Sequence, residues 1–528
     1  MKHNAIKTGL FFLAPVISGV LFVLAFPAHD ISGLAWVSLV PLLVAMHGRN
    51  PVIGFFMAFC FGFLNVAAIF SWIFEVRGYT IFHHILLASY LAALFGIFGW
   101  AYGFIAKRLG SGAAVLSAPF LWVTMEYVRS SLSFLALPWA WIAHTQHQNI
   151  LMIQLVSLTG TYSLSFLIVM VNASIAAVFM ALSKKQIGGS CVDCLKLKKV
   201  AIVMVIASVA LVSGALFYGR SSLNNLSQDK SIKVSVIQGN ISQEKKWNPE
   251  YADFIMQRYT ELTMKASKDE PDVIVWPEGA TPGFVLKRMD LMQKIVALAR
   301  EIKTPLLIGS SEYPKFEAGP LSIESFGNTA LFFSENGKVL GQYLKIILVP
   351  FTETVPLKNI IPWPKFILPD KNVSFEIPGK EITLFKINNA EFGVAICWEM
   401  HFPELIRQFV NKGANFMLNI VNEGRYGDTA APFQLLSMTI FRAVENRIAI
   451  ARSTNTGISC FIDPYGRVSE TVEKDGRILF VDGYLTREIP ITGKKSFYTE
   501  YGHLFVYFNL GITILIVFVC FIKPRSNS

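Results

Sequence analysis

Three side chains in this 528-residue sequence have the types and the placing for covalent acyl chemistry: Glu278, Lys345 and Cys397. Each closes a short, largely apolar run that reads as a buried strand. The runs are Val273–Ile–Val–Trp–Pro–Glu278, Leu340–Gly–Gln–Tyr–Leu–Lys345 and Phe392–Gly–Val–Ala–Ile–Cys397. Strand ends are where α/β folds commonly present their chemistry. Taken singly, each residue has a plainer reading: a buried Cys is most often a small hydrophobe, a Lys a solvated edge, a Glu a helix cap. Together they answer one another. A thiol needs a base, and a carboxylate in an apolar pocket has a raised pKa that lets it take the proton. The oxyanion of a tetrahedral intermediate needs a positive charge or N–H donors, and a buried lysine supplies the charge. Glu, Lys and Cys therefore make a complete acyl-transfer set.

The elements that must position them lie between residues 231 and 495, where short strands alternate with amphipathic helices. A strand is expected at 233–237, a helix from Pro249 to about Lys268, a strand at 273–275, a helix at 284–302 and a strand at 305–308. Strands at 328–334 and 338–344 flank Glu335–Asn–Gly337, a hairpin turn. Further strands are expected at 382–387, 392–396, 415–420, 448–454 and 457–462, with helices at 402–411 and 432–447. That is too many strands for one simple parallel sheet. Two layered sheets covered by helices fit better.

The remainder is of a different kind. Hydrophobic residues make up 53% of the chain and charged residues only 16%, too apolar for an ordinary soluble protein. A bilayer core about 30 Å thick needs roughly 20 apolar residues per helix. Spans are expected near 10–28, 31–47, 52–73, 83–106, 114–133, 161–182, 200–218 and 503–522. The first of these is read as a retained helix rather than a signal peptide, because further apolar runs follow at once after the turn Pro27–Ala–His–Asp30. The expected fold is therefore an eight-helix α-helical membrane bundle carrying an α/β domain. Its divisions are 1–220 in the membrane, 221–500 as the catalytic domain, and 501–528 as a last span with a short tail.

Lysine and arginine set the orientation. With the N-terminus cytoplasmic, the cytoplasmic segments hold Lys2, Lys7, Arg49, Lys107, Arg108, Lys184, Lys185, Lys196, Lys198, Lys199, Lys523 and Arg525; the short opposite segments hold little beyond Arg77 and Arg129. Residues 220–500 then lie outside the cytoplasm. The net charge of +11 is explained by those loops, and no basic stripe interleaved with aromatics suggests nucleic acid. Of six cysteines, Cys60 and Cys520 fall in spans, and Cys191 and Cys194 form a CxxC without two further ligands at zinc spacing, so no metal is expected. Only Cys397 and Cys460 belong to the outer domain, which excludes a disulfide framework.

Around the three reactive residues stand Trp276–Pro–Glu–Gly–Ala–Thr–Pro282, Leu348–Val–Pro–Phe–Thr–Glu353 after Lys345, Ala395–Ile–Cys–Trp–Glu399, and Arg452–Ser–Thr–Asn–Thr–Gly–Ile458. These runs resemble the nitrilase (carbon–nitrogen hydrolase) superfamily. Such a domain behind seven helices and ahead of an eighth resembles the bacterial apolipoprotein N-acyltransferase family. The resemblance extends to Gln238–Gly–Asn–Ile with Trp247 beyond it, and to Trp122, Glu126 and Arg129 in the fifth span. It implies a ping-pong reaction without a cofactor. An acyl chain from a membrane phospholipid, typically phosphatidylethanolamine, passes to the cysteine as a thioester and then to the α-amine of the diacylglyceryl-cysteine that begins an apolipoprotein. It implies Cys397 as nucleophile, Glu278 as general base and Lys345 as oxyanion stabiliser, with Trp247, Glu353, Trp398 and Glu399 as supporting or substrate-gating residues. It also implies a bacterial inner membrane, a periplasmic catalytic domain and a monomer.

Two departures stand out. Trp398 replaces the Tyr usual after the family's cysteine, and Ile347–Leu–Val–Pro–Phe–Thr–Glu–Thr354 replaces His–Leu–Val–Pro–Phe–Gly–Glu–Tyr. They bear on loop geometry, substrate preference and rate rather than on reaction class. A membrane-tethered amidase with water as acceptor is the nearest alternative. A transporter would show inverted repeats, and the sequence has no repeat. Three further features are open at this level. Glu126 and Arg129 can pair at i, i+3. His144 and His147 suit interfacial anchoring. Residues 357–370, with Ile360, Ile361, Trp363, Phe366 and Ile367, suit bilayer contact or the lipid entrance.

Overall fold

Apolar runs of helical length and short alternating runs segregate into two compact units of the chain. One takes Met1–Phe74, Tyr79–Asn225 and Tyr501–Ser528, the other Glu75–Gly78 and Leu226–Glu500. The computed structural model describes residues 2–27, 29–182, 191–224, 230–313, 326–364, 366–367 and 376–522.

In the first unit, five helices among the described residues are long and apolar enough to cross a membrane: Pro51–Ile69, Ile81–Leu109, Thr161–Leu182, Leu195–Asn224 and Leu504–Ile522. Of the eight expected spans, these five meet that measure of length and composition. The second expected span is a tight turn of helix at Ser32–Trp36 followed by the short helix Val40–Met46, with Pro41 in its first turn. A proline lacks the N–H that would have continued one helix through both. The fifth is the helix Ser111–Ser131, where the ionic Glu126 and Arg129 interrupt the apolar run. The first is the helix Lys2–Leu24, apolar over Leu13–Leu24. Pairing of helices 51–69 and 81–109 depends on two small residues. A Cβ at Gly54 would sit 2.5 Å from the Gly99 carbonyl oxygen, so only glycine lets the backbones touch there.

Trp122 is buried among the rings of Phe22, Phe61, Phe95 and Phe98, at 5.4–6.4 Å between centroids. Its Nε1 donates to Glu126 Oε1 at 2.9 Å, and the same oxygen accepts from Ile142 N. Arg129 donates to the carbonyls of Trp139 and Ala140. The two ionic residues thus tie segment 139–142 to this helix. His144 and His147 are buried rather than interfacial: His144 stacks on Trp141 at 5.1 Å, and His147 lies 3.8 Å from Asp30. The side chains of Cys191 and Cys194, and residues Lys184, Lys185, Lys523 and Arg525, lie outside those described.

Among its described residues the second unit has twelve strands: β1 (Ser231–Gln238), β2 (Val273–Val275), β3 (Leu306–Glu312), β4 (Gly327–Phe333), β5 (Val339–Leu344), β6 (Leu384–Ile387), β7 (Ala390–Ile396), β8 (Phe416–Val421), β9 (Ala449–Thr454), β10 (Cys460–Ile462), β11 (Val468–Thr471) and β12 (Gly483–Pro490). They form two mixed six-stranded sheets, ordered β12-β1-β2-β3-β4-β5 and β11-β10-β9-β8-β7-β6. The inner strands β1, β2 and β3 run parallel, as do β7, β8 and β9, and the edges are antiparallel. Complete burial along β2, β8 and β9 is what strands covered on both faces show.

The sheets face each other. Phe332 of β4 meets Phe392 of β7 at 5.3 Å, and Ser453 of β9 donates to the carbonyls of Ile237 and Val275. Helices Ala252–Ala266 and Met289–Ile302 cover the first sheet with Ile255, Tyr259, Leu262, Leu291, Ile295 and Leu298. Helix Pro403–Lys412 covers the second: a Cβ at Gly393 of β7 would meet Phe409 at 2.5 Å. β11 and β12 are additions to the expected strands.

Candidate active site

Each of the three reactive residues leaves the end of a strand, as expected. Glu278 follows β2 by three residues, Lys345 follows β5 directly and Cys397 follows β7 directly. Two local features bring them together. Cys397 has φ +50°, in the left-handed region that a non-glycine residue avoids, so the chain turns sharply as it leaves β7. At Gly309 of β3 a Cβ would lie 2.2 Å from the Pro277 carbonyl oxygen and 2.8 Å from the Glu278 Cα. The missing side chain is the space in which the Glu278 segment rests.

The three meet. The Glu278 carboxylate acts on the Cys397 thiol, whose ionisation it opposes. Lys345 Nζ, fully buried, lies 3.6 Å from Glu278 Oε1 and 2.7 Å from Glu353 Oε1. Glu353 Oε2 accepts from Val349 N at 2.9 Å, so this second carboxylate holds the lysine from a fixed loop. Glu278 is itself held at both oxygens. Asn328 Nδ2 donates to Oε1 at 2.6 Å, and Asn422 N donates to Oε2 at 2.8 Å.

The other expected residues fall into distinct places. Glu399 is buried and accepts from Tyr343 Oη, Ile346 N and Ile347 N at one oxygen and from Ile396 N at the other. It therefore ties the turn after Lys345 to the end of β7. Burial pushes its carboxyl up to about 7. Trp398 packs edge-on to His401 at 5.1 Å and Phe402 at 5.6 Å. Trp247 is 53% exposed, and it meets the site through its neighbour: Lys246 Nζ lies 5.8 Å from its ring and donates to the Glu278 carbonyl oxygen at 3.0 Å.

Charge balance decides which groups are ionised. Burial works to raise Glu278, but Lys345, Lys246 and the donors Asn328 and Cys397 together hold it below the usual carboxylate value. This reverses the raised pKa expected from an apolar pocket, because the pocket contains two lysines. Burial works to lower Lys345, yet Glu353 and Glu278 hold it well above its ordinary value. Burial, and next the charge of Glu278, drive the Cys397 thiol well up. At rest the site thus holds an ionised carboxylate, a neutral thiol and a charged lysine. Such a set can take a thiol proton during attack on a carbonyl and stabilise the resulting oxyanion.

Residues 18–174 match the Apolipoprotein N-acyltransferase N-terminal domain, and residues 233–482 match the Carbon-nitrogen hydrolase family. An apolipoprotein N-acyltransferase of Geobacter metallireducens is 33% identical over 94% of this chain and 92% of its own length. The chain belongs to the apolipoprotein N-acyltransferase family. It is an acyltransferase accordingly. A second relative, from Chlorobaculum tepidum and bearing the same name, is 27% identical over 97% of both chains. Among solved structures, a nitrilase-superfamily amidase from Nesterenkonia is similar over 54% of this chain and 99% of its own, at 18% identity and a TM-score of 0.39.

Several members of the site were not singled out in the sequence. Asn328 and Asn422 hold Glu278, and Asn455 braces Asn422 by donating to its Oδ1 at 3.1 Å. Lys246 is 5% exposed although it ends the polar run Glu244–Lys–Lys. One signal was present: an Asn in the fully buried and mostly apolar strand Gly327–Phe333 has no packing reason to be there.

Proposed function

We propose that this protein N-acylates the diacylglyceryl-cysteine that begins an apolipoprotein, taking the acyl chain from a membrane phospholipid such as phosphatidylethanolamine. In the first half, Cys397 Sγ attacks the ester carbonyl while Glu278 takes the thiol proton. Lys345 stabilises the oxyanion. Glu278 returns the proton to the leaving lysophospholipid oxygen as the ester C–O bond breaks. In the second half the acceptor amine attacks the thioester, and Glu278 carries a proton from nitrogen to the departing sulfur.

The observation that carries this reading is the meeting of Cys397, an ionised Glu278 and Lys345 within a chain of this family. Chemistry adds support. A thioester yields to amines far more readily than an oxygen ester, which gives a reason for a cysteine when the acceptor is an amine. Glu353 positions Lys345, and Glu399 fixes the turn that carries it; Trp247 and Trp398 act on substrate entry. The exposed apolar side chains of Leu357, Ile360 (76% exposed) and Phe366 suit contact with lipid. The reaction calls for no cofactor, since the donor ester brings its own leaving group. On this reading the protein is a monomer in the bacterial inner membrane, and the Lys/Arg asymmetry supports a periplasmic side for its catalytic domain, residues 221–500.

The acceptor tests the reading. With phospholipid alone, the enzyme should release one lysophospholipid per active site and stall as the thioester. A diacylglyceryl-cysteine peptide with a free α-amine should restart turnover, and an N-acetylated control should not. Steady release of free fatty acid without peptide would make water the acceptor and the protein a hydrolase.

A further inference from the structure

Beside the triad, two buried acceptor atoms have no hydrogen-bond donor among the described residues: Glu376 Oε2 and Asn328 Oδ1. Asn328 is 7% exposed, and its Nδ2 is committed to Glu278. The carbonyl end of the same amide is therefore held close to the base with nothing to accept from. Glu376 is fixed nearby through its backbone. It bridges to Phe326, two residues before Asn328, and its N donates to the Glu353 carbonyl at 2.9 Å.

The charged groups facing Glu376 come from several elements: Glu353, Lys345, Glu278 and Arg425, with Lys246 also within its field. The cations among them have other engagements. Lys345 is held by Glu353 and Glu278, Lys246 donates to the Glu278 carbonyl, and Arg425 is solvent-exposed. Three carboxylates thus share two buried lysines. Burial first, and the charge of Glu353 next, push Glu376 up to about 8, so it rests protonated at neutral pH. A spare carboxyl and an open amide oxygen suit a ligand that donates hydrogen bonds and carries positive charge.

The acceptor in the reaction proposed above is such a ligand, and the inference rests on that reading. An α-amine ionises at roughly 7.7–8.0 and arrives at neutral pH largely as an ammonium, which has no lone pair for attack. We propose that Glu376 binds the acceptor's α-ammonium, with Asn328 Oδ1 as a second acceptor, and removes the proton that must leave before nitrogen can attack the thioester.

The protons balance. Binding of R–NH3+ displaces the resting proton of Glu376 to solvent and leaves a carboxylate–ammonium pair. Transfer within the pair regenerates the protonated Glu376 and gives neutral R–NH2, whose lone pair forms the C–N bond at the thioester carbonyl. Glu278 takes one N–H proton from the tetrahedral intermediate and passes it to Cys397 Sγ as the C–S bond breaks. Each cycle yields an amide, a free thiol and one proton in solvent, and Glu376 ends as it began.

The test compares the full-length wild type with Glu376→Gln, each first acylated with phospholipid and then given a diacylglyceryl-cysteine peptide between pH 6 and 9.5. Glu376→Gln should keep its lysophospholipid burst. Its amide formation near pH 6.5 should fall by about a hundredfold, the lower range for loss of a general base, and should recover towards wild type above pH 9, where the amine is already neutral. Hydroxylamine, neutral near pH 7, should deacylate both proteins at equal rates. Equal amide formation by the two proteins at every pH would overturn the proposal. So would a loss of burst and transfer together that no pH restores, which marks a structural residue. If the wild type itself releases fatty acid and leaves the peptide unmodified, the acyl-transfer reading falls and the inference falls with it.

Discussion

Replacing Asn328 by alanine isolates the hydrogen bond that holds Glu278, the proposed base. The bond is 2.6 Å long, buried, and made to a carboxylate kept ionised by its surroundings. Hydrogen bonds to charged groups contribute about 1.5–3 kcal/mol. Asn422 N still grips the other oxygen at 2.8 Å and Lys345 remains near, so the carboxylate loses one restraint and stays in the site. At about 1.4 kcal/mol per tenfold, thioester formation should slow roughly 10- to 100-fold. The assay is the pre-steady-state burst of lysophospholipid with phospholipid alone, where the acceptor amine takes no part. A pH shift should accompany the slowing. Glu278 is depressed in the folded protein, so base function is present above its pKa and lost as pH falls through it. Asn328 is one of the donors holding that value down, so its removal should move the acid limb of the burst to higher pH. A burst within about twofold of wild type, with an unmoved acid limb, would show that Asn328 does not position Glu278.

Cys397→Ser should abolish the hydroxylamine-sensitive acyl adduct, seen as a fatty-acyl mass on the intact protein, whereas Cys460→Ser should keep it. Cys460 is buried in β10 with its thiol pushed up to about 12 by that burial, and an adduct that persists in Cys397→Ala would place the nucleophile elsewhere. Reporter fusions after Arg220 and after Arg525 should report opposite sides of the membrane; both on one side would refute the orientation drawn from lysine and arginine.

The sequence made the inner strands legible because their side chains are their reason for being strands. β2, β8 and β9 bury every residue, and the apolar runs of β2 and of most of β8 say so in advance. β12 is different. Gly483–Tyr–Leu–Thr–Arg–Glu–Ile–Pro490 carries charges, ends in proline and is mostly half-buried. It is a strand because all eight of its residues pair with β1, a partner about 250 positions earlier that no local pattern reveals. β11 is likewise an edge strand with three exposed residues. The second expected span differs in the opposite way. Hydropathy alone joined Ser32–Trp36 to Val40–Met46, although Pro41 and the missing N–H separate them.

The site was legible in its residue types and not in its charges. Strand ends pointed to Glu278, Lys345 and Cys397, and burial alone argued for a Glu278 pKa above normal. That argument omitted a second lysine, since Lys246 follows Lys245 in a polar run that reads as solvated and folds instead under the Glu278 carbonyl. Two buried cations then outweigh desolvation. The difference changes how the reaction starts. A raised base would share its proton with solvent near neutral pH, whereas a depressed one is always ready to receive. The thiol moves the other way, held neutral by burial and by the negative charge beside it. Neither group favours a resting thiolate–carboxylic acid pair, so proton transfer must accompany bond formation at the carbonyl. In the proposed reaction the nucleophile is then generated only when an ester is in place, which protects the sulfur between encounters with lipid.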